Sequence, residues 1–169
     1  MNAKTLVISG IVAAVVIFST IYLMPISLRP VANPSNTTIF NQTAMLERGN
    51  VEMGFNQSMI HHHFMATPSG GEIMIMSTNT NDTKTINEIR SHIRDIQYEF
   101  SQGNFTKPFY IHAQVVPGTD VMVAKKDLIQ YSVKDIDGGS ILILTTNDTE
   151  LLNAIQQFMV FQSSQHMGH

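Results

Sequence analysis

The apolar positions fall into two rhythms. From Gly70 to Asn79, and again from Gly138 to Asn147, a glycine pair precedes a short, nearly unbroken aliphatic run: Ile73-Met74-Ile75-Met76 and Ile141-Leu142-Ile143-Leu144. Runs this short, bounded by turn residues, predict strands, and apolar side chains on both faces predict that both faces are covered. The glycine pairs supply the positive φ angles that tight hairpins need. Each run then gives way to an Asx/Thr segment and a helical period. Ile86, Ile89, Ile93, Ile96 and Phe100 recur every three or four residues as one buried stripe. Leu151, Leu152, Ile155, Phe158, Met159 and Phe161 make a broader apolar surface in a second helix. Asp82 and Asp148 stand where helix N-caps belong, and Gly103 where the first helix should stop.

The two stretches read as copies. After a two-residue slip, Asp82-Thr83 matches Asp148-Thr149, and Ile86-Asn87-Glu88-Ile89 matches Leu152-Asn153-Ala154-Ile155. The predicted fold class is therefore α+β: a two-layer sandwich of a tandem ββα repeat, with a four-stranded, mainly antiparallel sheet and two helices on one face. Residues 54–169 form this domain, with repeat one at about 60–103, a connector at 104–127 and repeat two at about 128–166. The connector, which holds Pro108 and Pro117-Gly118, is expected to cover the second sheet face, unless that face meets a second copy.

Upstream, Thr5 to Met24 carries no charged side chain and is long enough to cross a bilayer core of about 30 Å. A signal peptide would have a shorter apolar run and an Ala-x-Ala-like exit. Here the run ends in Ile21-Tyr22-Leu23-Met24-Pro25, so residues 1–25 read as a retained, single-pass transmembrane anchor. Residues 26–53, with Pro30 and Pro34 and little periodicity, read as a linker, with a short helix over Thr43–Glu52 as an alternative. The anchor makes the membrane the first expected partner. Asn36, Asn41, Asn56, Asn81, Asn104 and Asn147 each begin an Asn-x-Ser/Thr sequon, which points to an extracytoplasmic, glycosylated domain.

Composition narrows the chemistry. The 169-residue chain has no cysteine, so disulfides, thiolate nucleophiles and thiolate metal sites are excluded. With 10 Lys+Arg and a formal net charge of -3, no basic footprint exists for nucleic acid. No nucleotide-binding, nucleophile-elbow or zinc-protease signature occurs, and nothing positive marks an enzyme.

What remains is 7 His and 11 Met. His61-His62-His63 lies on the first strand of repeat one, where alternation puts His61 and His63 on one face and His62 on the other. His92 borders the stripe of the first helix, His112 lies in the connector ahead of Met122, and His166, Met167 and His169 close the chain. Repeat two has Gln130-Tyr131 where repeat one has His62-His63, so duplication did not produce the histidines. Neutral imidazole is the commonest metal ligand, and thioether adds a preference for Cu(I). Met74 and Met76 read as core filler.

Further motifs support the same residues. Gly54-Phe55-Asn56-Gln57, His62-His63-Phe64 and Pro68-Ser69-Gly70-Gly71 resemble an uncharacterised group of small exported bacterial and archaeal proteins, whose pattern runs G-F-D-Q, H-H-F and a Gly-Gly hairpin. The resemblance continues through Ile89 to Ile93, Gly103-Asn104-Phe105, Pro108, His112, Pro117-Gly118, Met122, Gly138-Gly139, Phe161-Gln162 and His166. It implies His62, His63, His92, His112 and His166, with Met122, as site residues, and points to no particular activity. His61 replaces a threonine of that pattern, and Asp95 and Gln156 replace histidines, leaving His92 without a second histidine on its helix.

The expectation is a membrane-anchored domain that binds copper, or zinc as second choice, through His62, His63 and His112, with Met122, His92 and His166 as further ligands. Metal holding, delivery or sensing would be its role. The alternative is a metal-free interaction or scaffold module that meets a second copy or a membrane protein through its second sheet face.

Overall fold

The computed structural model describes residues 34–166; the anchor read over residues 1–25, the start of its linker and residues 167–169 lie outside the described residues. For residues 34–41 the description covers the backbone. Helix α1 (Pro34–Met53) leads through a 3₁₀ turn at Gln57–Met59 into strands β1 (Ile60–Thr67) and β2 (Gly70–Ser77), then helix α2 (Thr83–Ser101). Two short helices follow, α3 (Thr106–His112) and α4 (Thr119–Ala124). A second 3₁₀ turn at Lys126–Leu128 leads to strands β3 (Gln130–Ile136) and β4 (Gly139–Thr145) and helix α5 (Thr149–Gln165).

The strands form one sheet in the order β1-β2-β4-β3, every neighbouring pair antiparallel. The protein is thus α+β, with a four-stranded antiparallel sheet and helices. Alternation turns Ile73, Ile75, Leu142 and Leu144 into the core. Helix α2 lies against β2, β3 and β4, and α5 against β1 and β2. The stripe Ile86, Ile89, Ile93, Ile96 and Phe100 is buried, as are Leu151, Ile155, Phe158 and Met159 of α5. Each such side chain contributes about 1.5–3 kcal/mol when removed from water. Asp82 accepts from the Thr85 amide at 3.1 Å and Asp148 from the Leu151 amide at 2.9 Å, so both caps satisfy an otherwise unpaired helix N–H.

The structure departs from the sequence reading in three places. Residues 34–53 are helix α1 rather than linker. Its inward positions Met45, Gly49 and Met53 recur every four residues, but the glycine hides the stripe; Gly49 packs against Gln57, and Arg48 donates to the Ile111 carbonyl at 2.8 Å. Second, the connector does not cover the other sheet face: α3 packs on α1, and α4 on α5. Met74, Met76, Ile141 and Ile143 sit half-buried on that face, so Met74 and Met76 are not core filler. Third, the glycine-pair match is out of step by one residue. Matching the hairpins by their two-residue turns, Pro68-Ser69 and Asp137-Gly138, sets Ile73 level with Leu142 and His62 level with Tyr131 rather than Gln130. A one-residue slip exchanges the two faces of a strand, which is why the aliphatic runs alone could not fix it.

A buried histidine pocket

Strand β1 sends His62 to the helix-covered face and His61 and His63 to the other. His62 meets His166, which caps the C-terminus of α5, at 5.0 Å between ring centres. His166 in turn lies 5.4 Å from His112, the last residue of α3, with the two rings perpendicular. His92 of α2 lines the same cavity, whose volume is about 50 Å³. Four imidazoles from four elements, each 6 to 9% exposed, therefore surround one small space.

Aromatic rings hold them. Phe64 lies 5.9 Å from His62 in a nearly parallel stack and 5.1 Å from His166. Phe161 makes a T-shaped contact with His112 at 5.2 Å, and Phe55 makes one with His92 at 5.7 Å. The backbone also aims His112. Helix α3 stops directly after it, with Ala113 at φ 52°, a left-handed conformation that costs an alanine about 1–2 kcal/mol.

Burial sets the charge state. It pushes His92 down from 6.5 to about 4; the Lys107 cation acts in the same direction and Asp95 against it. His112 is lowered as well, chiefly by burial and further by Arg48, while its bond to Gln162 opposes the shift. Both rings are neutral at pH 7, so each keeps a nitrogen lone pair.

Gln162 decides which nitrogen that is in His112. Its Oε1 lies 2.7 Å from His112 Nε2, and because a carbonyl oxygen only accepts, Nε2 carries the hydrogen. The lone pair is then on Nδ1, which is buried and has no hydrogen-bond partner among the described residues. A histidine that donates one ring N–H to a carbonyl and offers the other nitrogen is arranged as metal-bound histidines usually are.

Two predicted ligands are elsewhere. His63 is exposed on the opposite sheet face, because neighbouring strand residues point in opposite directions. Met122 is fully buried among core side chains on α4 and does not line the cavity. The thioether that does line it is Met53, at the end of α1, hidden from the sequence reading by the linker assignment. Gln162 entered that reading only through the resemblance, since no spacing rule links a glutamine to a histidine 50 residues away. Among the described residues, no three His, Asp or Glu side chains already direct their donor atoms to one point.

Fold and site together define an α+β protein with a pocket lined by four buried imidazoles between its sheet and its helices. Comparison with protein families, curated proteins and solved structures gives no match.

Proposed function

We propose that this pocket binds a transition-metal ion, copper in preference to zinc, through His62, His112 and His166, with His92 and Met53 beside them, and that the protein holds, delivers or senses that ion. The observation that carries the reading is the spacing of the rings. With metal–nitrogen distances of about 2.0–2.1 Å and ring centres about 1.1 Å further out, imidazoles sharing one ion at tetrahedral angles have centres about 5.2 Å apart. His166 stands at such spacings from two partners, 5.0 Å from His62 and 5.4 Å from His112. The cavity of about 50 Å³ suits an ion with a water or two, and neutral nitrogen with a nearby thioether favours copper. Loading requires the rings to rotate so that their lone pairs meet.

Titration of the full chain with Cu(II) and Zn(II) at pH 7.5 tests this reading. One tight copper site in the pocket is expected, lost in His112→Ala, with Gln162→Leu weakening it by about 10–100-fold because the His112 tautomer is no longer held. Unchanged tight binding in both variants would remove the pocket from consideration, and equally weak binding by all three proteins would favour the metal-free interaction module.

We further propose that the domain is displayed outside the cytoplasm on a retained N-terminal anchor. The charge-free run Thr5–Met24 supports this, and so does exposure of Asn56, Asn81, Asn104 and Asn147, the sequon asparagines whose side chains are described. Among the described residues no helix is long and apolar enough to cross a membrane, and Thr5–Met24 lies outside them. Intact mass of membrane-extracted protein should give the uncut chain; a mature chain starting between Pro25 and Asn33 would overturn the anchor.

A further inference from the structure

The other face of the same hairpin carries a different set of soft ligands. Along β1, His61 and His63 are both exposed and share one face. The β1–β2 register sets His61 directly opposite Met76 and His63 directly opposite Met74. Parity therefore places two imidazoles and two thioethers on one face as a quadrilateral. Its cross-strand sides are about 4.5–5.5 Å between Cβ atoms, and its sides along the strands are about 6.6–6.8 Å. Histidine and methionine are long enough to reach inward from all four corners to one ion.

The surroundings favour that use. Met74 and Met76 are half-buried while the histidines are exposed, so two partly shielded thioethers stand across from two accessible rings. On the far side of β2, Met76 faces Gly139, which has no side chain to obstruct it, and Met74 faces Ile141. The corresponding positions of the other hairpin are Gln130 opposite Thr145 and Ser132 opposite Ile143. A general need for apolar or polar groups on this face would not place all four ligating side chains in one hairpin and none in the other.

We propose that His61, His63, Met74 and Met76 form a second, surface copper site, selective for Cu(I). Imidazole nitrogen and thioether sulfur ligate as uncharged groups, and Glu72, the next residue on that face of β2, stands opposite Met65 and outside the quadrilateral. Such a set stabilises a soft monovalent cation at little electrostatic cost and gives a divalent ion such as Zn(II) little to offset its lost hydration. The site lies across the sheet from the buried pocket and shares no ligand with it, so each reading stands or falls separately.

The test is anaerobic Cu(I) titration of the full chain in competition with a chromophoric Cu(I) chelator. The variants are His61→Gln/His63→Gln, Met74→Leu/Met76→Leu and His112→Ala. Each surface pair should lose one equivalent of Cu(I) relative to the unaltered chain, including in the His112→Ala background, where the pocket is removed. X-ray absorption of that background should show copper–sulfur scattering that disappears with Met74→Leu/Met76→Leu. Zn(II) in tenfold excess should not displace the ion. Circular dichroism unchanged from the parent chain shows that each variant is folded. Unaltered Cu(I) stoichiometry in either surface pair, or absence of copper–sulfur scattering, would overturn the site; full occupancy in His112→Ala would count against the buried pocket alone.

Discussion

Acidification from pH 7 to pH 4 is expected to remove about 3 kcal/mol of stability from the metal-free protein through His92 alone. The folded state holds this histidine neutral, with its pKa at about 4, whereas the unfolded chain titrates near 6.5. At about 1.4 kcal/mol per pH unit, that separation amounts to about 3 kcal/mol. The sign follows from proton binding. Below about 6.5 the unfolded chain takes up a proton that the folded chain refuses, so stability declines until the folded group also titrates near 4. His112, lowered for the same reason, adds a loss of the same sign. Asp82, Asp135 and Asp148 are lowered by their hydrogen bonds, so their contribution disappears only below the ordinary carboxylate range, in a separate window. Denaturant unfolding at pH 7, 5.5 and 4.5 in the presence of a chelator measures the slope. His92→Leu should flatten it substantially, and a variant with the wild-type slope would refute the assignment to His92.

Gly118→Ala is expected to destabilise the protein by about 3–4 kcal/mol, seen as a fall in Tm of about 10 °C. Gly118 has φ 84°, and a Cβ there would lie 2.2 Å from the Ala154 carbonyl oxygen in the middle of α5. The left-handed backbone contributes about 1–2 kcal/mol of this, and forcing α4 away from α5 the remainder. Gly54→Ala provides the control, because Gly54 has φ 73° with nothing within 4 Å of its Cβ position. It should lose only the backbone share. A Gly118→Ala protein within about 1 kcal/mol of Gly54→Ala would show that the close approach to α5 is not what matters. The same substitution should reach the pocket, since Gly118 ties the connector that carries His112 to the helix that carries Gln162 and His166. His112 and Gln162 should therefore show altered NMR shifts in whatever fraction stays folded.

Much of the fold was already legible along the chain because its signals are local. The caps Asp82 and Asp148, the helix stripes from Ile86 to Phe100 and from Leu151 to Met159, and the strand at His61–Phe64 each depend on neighbours within a turn or a pleat. So does the division of His62 from His61 and His63, which alternation alone predicts. Helix α1 was not legible, because its buried stripe of Met45, Gly49 and Met53 includes a residue without a side chain and takes its support from Gln57 and Ile111. The register between the hairpins was not legible either. The aliphatic runs Ile73–Met76 and Ile141–Leu144 look alike in either phase, and only the helices packing on one face decide which residues turn inward.

For the pocket, residue type and position supplied a list, and the tertiary structure chose from it. His62, His92, His112 and His166 lie on four elements far apart in sequence, so no spacing rule could say that they share a cavity or that Met122 does not. By itself the sequence determined which side chains were available for soft-metal chemistry, since a chain with no cysteine offers imidazole and thioether. Which of them meet was decided by the packing of α5 against β1 and of α3 against α1, because convergence depends on the distance between elements, and that is set by the core each of them buries.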